Sequence, residues 1–139
     1  VFSANGLTYE HQPNGKQSYP DFIVEGVDIE CKGAKSFKNL MWNSTLPKQE
    51  AIYVLADREE NNSIVVVLGK YLVDKDLSDS LTRYHKAALE LAKTFNLASG
   101  GDWSYGQRGR FDMKASAIPS DNFNQANKET LAYVKDNFG

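Results

Sequence analysis

The sequence has few of the features that mark secreted, zinc-binding or membrane proteins. Cys31 is the only cysteine among 139 residues, which excludes an internal disulfide and a cysteine zinc cage and favours a reducing, cytoplasmic compartment. No apolar run approaches the roughly 18 residues of a membrane span. The first residues lack the basic and apolar regions of a secretory signal. We therefore expect no membrane partner.

The charge is nearly balanced overall but unevenly distributed. A net charge of −2 and an isoelectric point of about 5.7 argue against a general polyanion binder. From Cys31 to Gln49, however, the chain has four lysines and no acidic residue. A basic segment directly after an acidic one indicates a local functional site, and it does not indicate a surface charged over the whole protein.

The hydrophobic pattern predicts one domain, residues 1–139, of the α/β (α+β) class. Buried-strand runs next to amphipathic helices favour a mixed β-sheet flanked by α-helices. Residues 35–48 show no clear period, which predicts a loop. We expect strands at 7–12, 22–24, 27–31, 51–56, 64–68 and 110–117, and helices at 77–95 and 124–138.

The clearest predicted helix, residues 77–95, has apolar residues at spacings of three and four with charges between them, which predicts an amphipathic helix with one buried face. Asp76 or Ser78 is expected to cap its N-terminus. The predicted buried face consists of Leu81, Tyr84, Ala88, Leu91 and Phe95.

The segment Tyr19–Gly33 (YPDFIVEGVDIECKG) predicts a hairpin with an unusual pair of acids. A two-residue turn at Glu25-Gly26 sets a symmetric register, in which Asp21 lies opposite Glu30. Opposed side chains have Cβ atoms about 4.5–5.5 Å apart, and like charges at that separation repel. A divalent cation between them reverses the sign of the interaction, and Mg²⁺ suits a site with one or two carboxylates.

Side chains alternate along a strand, so Asp28, Glu30 and Lys32 are expected on one face and Cys31 on the other. An amine beside two carboxylates and a metal can hydrolyse a phosphodiester. Asp28 lies toward the turn and is expected to be exposed, whereas Cys31 is expected to be an inert core thiol. The alternative is a surface hairpin whose charges are merely solvated.

The same residues resemble a known family. Pro20-Asp21, eight further residues and then Glu30-Cys31-Lys32 resemble the signature of the PD-(D/E)XK nuclease superfamily, which includes most type II restriction endonucleases. The resemblance covers roughly residues 7–70 and implies a restriction-endonuclease-like core. It also implies Mg²⁺ ligation by Asp21, Glu30 and the backbone carbonyl of Cys31, with Lys32 as the catalytic lysine.

The sequence departs from the family pattern at one point. Many members carry a further acidic residue on a helix before the first strand, and nothing upstream of Leu7 is long enough for that helix. Either the acid lies upstream of a chain that begins with Val1, or Glu10 takes its place.

The basic segment after the hairpin is a candidate for DNA contact. Lys35 and Lys38 are expected to contact phosphates, and Ser36 and Asn43 to hydrogen-bond to phosphates or bases. The alternative is a solvated loop with Trp42 packed in the core, which is the role expected for that tryptophan.

A second candidate segment, residues 99–114, combines glycines and aromatic residues with guanine- and adenine-reading side chains. Its expected DNA contacts are Gln107, Arg108 and Arg110. The alternative is an irregular surface loop anchored by its two aromatic residues.

These patterns predict a magnesium-dependent deoxyribonuclease acting on double-stranded DNA, and specifically a type II restriction enzyme. Cutting both strands of a palindromic site favours a homodimer, because the symmetry of the protein must match that of the site. Two alternatives remain open. One is a repair, resolvase or phage nuclease that recognises DNA structure, and the other is a catalytically inactive DNA-binding module.

Overall fold

A five-stranded mixed sheet, a two-stranded sheet and two long helices form the computed structural model, which describes residues 2–16, 18–34, 39–43, 45–57, 64–106, 109–114 and 120–138. This confirms the α+β class. The strands are β1 (Tyr9–His11), β2 (Phe22–Val24), β3 (Val27–Ala34), β4 (Asn39–Asn43), β5 (Ile52–Asp57), β6 (Ile64–Leu68) and β7 (Arg110–Lys114), and the helices are α1 (Lys75–Ala98) and α2 (Ser120–Phe138).

The larger sheet has the strand order β1-β2-β3-β5-β6. Its neighbours are antiparallel except for β3 and β5, which are parallel. Parallel strands need a crossover connection, and β4 lies within this one. Outside the sheet, β4 pairs in antiparallel fashion with β7.

Segment 35–48 contains β4, so the prediction of a loop across it was wrong. The partner strand β7 lies about seventy residues further along the chain, and its pairing with β4 leaves no local signal. The smaller sheet contributes Leu40 and Trp42 to a buried cluster with Tyr53 and Leu55 of β5. One face of the larger sheet is therefore packed under β4 and β7.

Helix α2 packs on the opposite face. Its Tyr133, Val134 and Phe138 contact a cluster that contains Ile29 and Ile52. The fully buried Thr130 hydroxyl accepts a hydrogen bond from the backbone N–H of Leu68 at 3.1 Å, which fixes α2 against β6.

Helix α1 begins two residues earlier than predicted. Asp74 is its N-cap and accepts a hydrogen bond from the Leu77 N–H at 2.9 Å, so the predicted caps Asp76 and Ser78 were wrong. Asp74 has the extended backbone typical of a cap, and its side chain reaches the third residue after it.

The predicted buried face of α1 was also wrong in large part. Tyr84, Leu91 and Phe95 are exposed, whereas Ala92 is buried and His85 packs edge-on to Phe111 at 5.9 Å. The periodicity identified the helix correctly, but contacts with distant residues decide which side is covered.

Among the helices that the structure describes, none has the length and apolarity of a membrane span.

Candidate active site

The β2–β3 hairpin has the register that its turn predicts. Glu25 and Gly26 both have positive φ values, 47° and 79°, as a type I′ turn requires. Phe22 pairs with Ile29 and Val24 with Val27. Continuing this register by one residue places Asp21 beside Glu30.

Asp21 is held at the end of the hairpin by two backbone hydrogen bonds. Its carboxylate oxygen Oδ2 accepts from the Cys31 N–H at 2.8 Å. Its own carbonyl accepts from the Gln12 N–H at 2.8 Å, next to β1. The side chain thus takes the place of a backbone partner for β3, and its position is set by the strands.

Glu30 is a partly buried carboxylate close to a second carboxylate. Its Oε1 lies 3.7 Å from Lys32 Nζ, and the two side chains are only 17% and 25% exposed. Its other oxygen, Oε2, is buried without a hydrogen-bond partner in the described structure. Burial and the neighbouring Asp21 carboxylate raise the pKa of Glu30, while Lys32 acts in the opposite direction.

Lys32 is positioned by the strand that sequence reasoning missed. Its Nζ lies 4.8 Å from the centroid of the Trp42 ring, a distance typical of a cation–π contact. Trp42 is 2% exposed, as predicted for a core residue, and packs edge-on to Tyr53 at 5.2 Å. The indole Nε1 is a second buried polar atom without a partner in the described residues.

The donor set fits a magnesium ion with few protein ligands. The described residues contain no group of three or more His, Cys, Asp or Glu side chains that could hold a metal. Mg²⁺ commonly uses one or two carboxylates and completes its shell with water and phosphate. The unpaired Glu30 Oε2 beside the Asp21 carboxylate matches that requirement. Ligation by the Cys31 carbonyl stays a prediction.

Cys31 is exposed, so the prediction of a core thiol was wrong. Strand β2 begins at Phe22, which pairs with Ile29, so Cys31 of the longer β3 lies outside the paired region of β2. Partial burial and the carboxylates of Asp21 and Glu30 raise the pKa of the thiol. The group is consequently a poor nucleophile at neutral pH.

Asp28 is half-buried, which corrects the prediction that it is exposed. It lies near the Tyr19 hydroxyl, whose pKa is raised by burial first and then by Tyr53 and Asp28. Lys48 Nζ sits 3.9 Å from the centroid of the Tyr19 ring. Neither Lys48 nor Tyr19 was predicted as a site residue. Lys48 lies in the basic segment, and Tyr19 directly precedes Pro20.

Two of the predicted DNA contacts become neighbours in the smaller sheet. Asn43 of β4 pairs in register with Arg110 of β7, and both are exposed. Arg110 Nε donates to Asp112 Oδ1 at 3.0 Å. The remaining candidates, Lys35, Ser36, Lys38, Gln107 and Arg108, lie outside the described residues.

The hairpin therefore places two adjacent carboxylates, which we call the hairpin acids (Asp21 and Glu30), beside the Lys32 amine, and Glu30 Oε2 is buried without a hydrogen-bond partner in the described residues. Such a set can hold a hard divalent cation next to a phosphate. Comparison with protein-family models, with curated proteins and with solved structures finds no match for this chain. The function is therefore inferred from the chemistry of the hairpin residues.

Proposed function

We propose that this protein is a magnesium-dependent endonuclease of the restriction-endonuclease-like fold that hydrolyses phosphodiester bonds in double-stranded DNA. We further propose that it cuts at a specific sequence, as type II restriction enzymes do. The supporting observation is the Glu30 carboxylate: its Oε2 is buried and unpaired in the described structure, its Oε1 lies 3.7 Å from the Lys32 amine, and the Asp21 carboxylate is near enough to raise its pKa. A divalent cation would give this buried oxygen a positively charged partner, and a phosphate would help to complete the coordination shell of the ion.

Each of the three side chains has a distinct part in this proposal. When bound, Mg²⁺ would polarise the scissile phosphate and lower the pKa of a coordinated water. Asp21 and Glu30 would hold the ion, and the Cys31 N–H keeps the Asp21 carboxylate in place. Lys32 would donate a hydrogen bond to a phosphate oxygen or to the attacking water, which stabilises charge that develops in the transition state.

The half-buried setting of Lys32 supports this role. Its contact with Trp42 fixes the direction of the side chain, and its 25% exposure leaves the amine accessible to a substrate. Preorganised donors are effective because they need no reorganisation during the reaction. An exposed surface lysine would lack this advantage.

The exposed side chains of Asn43 and Arg110 support DNA as the substrate. They are adjacent on one small sheet, and that sheet also positions Lys32 through Trp42. Amide and guanidinium groups hydrogen-bond to base edges and phosphates. A recognition surface and the reactive groups would then be joined by one structural element.

The direct test is DNA cleavage with magnesium and with a chelator. We expect the wild-type protein to cut plasmid DNA into discrete fragments only with Mg²⁺, and Asp21→Asn and Lys32→Ala to lose cleavage while still binding DNA. Asp79→Asn and Lys75→Ala are matched controls, because these residues form an exposed ion pair on α1. A wild-type protein that binds DNA but never cuts it would contradict the proposal, and cleavage of branched DNA alone would indicate a structure-specific nuclease.

A further inference from the structure

Helix α1 carries an apolar stripe that the described residues cover only in part, since Leu81 and Ala88 are half-buried and the other members are exposed. Its positions follow the alternating four- and three-residue spacing of a helix–helix seam. The largest side chains are exposed: Leu77 by 49%, Tyr84 by 74%, Leu91 by 73% and Phe95 by 52%. We call this set the α1 stripe, and it consists of Leu77, Leu81, Tyr84, Ala88, Leu91, Phe95 and Ala98.

The sector around the stripe has no charged residue. With about 100° per residue, Ser80 and Ala87 fall within it, and the acidic and basic side chains of α1 fall outside it. A neutral sector of this kind lets two identical surfaces meet without repulsion between like charges.

The exposed area is large for a surface that stays in water. The exposed fractions of the four large side chains amount to on the order of 450 Å², taking roughly 200 Å² for each whole aromatic side chain and somewhat less for each leucine. The largest apolar patch of a typical monomer is about 300–600 Å² and is often functional. A stable dimer buries about 800 Å² per partner, so the stripe supplies more than half of that.

The loop after α1 adds to this surface. Tyr105 packs edge-on to Phe95 at 6.2 Å. Asn96 fixes the loop, because its side-chain oxygen accepts from the Tyr105 N–H at 2.5 Å. The apolar area therefore continues past the C-terminus of the helix.

The order of side-chain sizes along the stripe is suited to pairing with a second copy of the same helix. Ala87 and Ala88 lie at its middle, with Tyr84 on one side and Leu91 on the other, each three residues away. If a second helix runs antiparallel across this midpoint, Tyr84 of each copy meets Leu91 of the other. The two alanines then meet at the crossing, where small side chains allow close approach.

We propose that the α1 stripe is a two-fold interface at which two copies of this chain pair through antiparallel helices. A self-complementary patch is what an isologous dimer requires. This inference does not depend on the nuclease activity, because it concerns association and not chemistry. It adds a location to the expectation of a homodimer.

Sedimentation velocity and light scattering of the whole chain test the interface. We expect a dimer for the wild type and a monomer for Leu91→Glu, since a carboxylate would be buried in the seam. Leu97→Glu is the matched control: Leu97 is 75% exposed on the same helix but lies outside the stripe. Circular dichroism will show whether each variant keeps its helices.

Crosslinking gives a second measurement that needs no disruptive change. In a Cys31→Ser background, Ala88→Cys is expected to form a disulfide-linked dimer on mild oxidation, because position 88 lies beside the two-fold axis. Lys93→Cys, on the charged side of α1, is expected to stay monomeric. A wild type that is monomeric at all concentrations, equal effects of Leu91→Glu and Leu97→Glu, or equal crosslinking at 88 and 93 would each overturn the proposal.

Discussion

The hairpin acids and the α1 stripe each lack a binding partner, but the two regions need partners of opposite character. Glu30 Oε2 is buried without a hydrogen-bond partner in the described structure, next to the Asp21 carboxylate. Leu91 and Tyr84 hold apolar area that water must solvate. The first needs positive charge and the second needs another apolar surface. Mg²⁺ and pH should therefore affect the hairpin, whereas protein concentration should affect the stripe.

The largest expected effect is on catalysis at the hairpin. Asp21→Asn should lower the cleavage rate by about 10²–10³-fold or more, as removal of one preorganised electrostatic group does in other enzymes. DNA affinity measured with the same substrate should change little. Loss of binding in parallel with cleavage would show that Asp21 maintains the fold and not the reaction.

The next effect connects the two regions. If paired copies cut the two strands together, Leu91→Glu should shift the products of supercoiled plasmid from linear to nicked DNA, by roughly tenfold in their ratio. Single-strand cleavage per chain should remain. An unchanged ratio in a variant shown to be monomeric would separate the dimer from the cleavage reaction.

Magnesium should stabilise the wild type and not the variant that lacks an acid. At ten times its Kd, a ligand that binds only the folded state adds about 1.4 kcal/mol to the free energy of unfolding. We expect this gain for the wild type in thermal melts and little gain for Asp21→Asn. Calcium can replace Mg²⁺ in the melt when cleavage would interfere, and an equal gain for both proteins would place the ion elsewhere.

The pH dependence of stability should reveal the strain at Glu30. Burial and Asp21 raise its pKa above the ordinary value of 4.5, so between the two values the folded state holds a proton that the unfolded chain releases. Stability contributed by Glu30 is therefore lost as pH rises through that window. In chelator, Glu30→Gln should be more stable than wild type above the window, by roughly 0.2–1 kcal/mol, and the difference should vanish at low pH.

An effect confined to DNA binding is expected at the DNA-contact candidates. Asn43→Ala should weaken DNA binding by roughly fivefold, about 1 kcal/mol, with the cleavage rate at saturation nearly unchanged. Titration by fluorescence anisotropy measures it. Asn137→Ala, an exposed asparagine on α2 outside the candidate DNA-contact segments, is a matched control that should leave this affinity unaltered.

Local chemistry made the hairpin predictable. A two-residue turn that ends in glycine sets the register of β2 and β3, and one further step of that register places Asp21 beside Glu30. The continuous apolar runs likewise identified β5 and β6. In these segments, neighbouring residues contain all of the information that the structure uses.

Distant contacts limited the rest. The pairing of β4 with β7 is set by packing across the chain, so Trp42 could be assigned to the core but not placed beneath Lys32. Cys31 was wrongly assigned to the core, because β3 extends beyond the end of its partner β2. The stripe on α1 looked like a core face because a sequence shows that a surface is apolar, but not what covers it.

The hydrogen bond from the Cys31 N–H to Asp21 Oδ2 has a consequence for relatives of this protein. Eight residues separate Asp21 from Glu30. An insertion of one residue on one strand would turn Glu30 to the opposite face and break that hydrogen bond. Hairpins in working relatives should therefore lengthen or shorten by matched pairs, so that the gap between the two acids stays even.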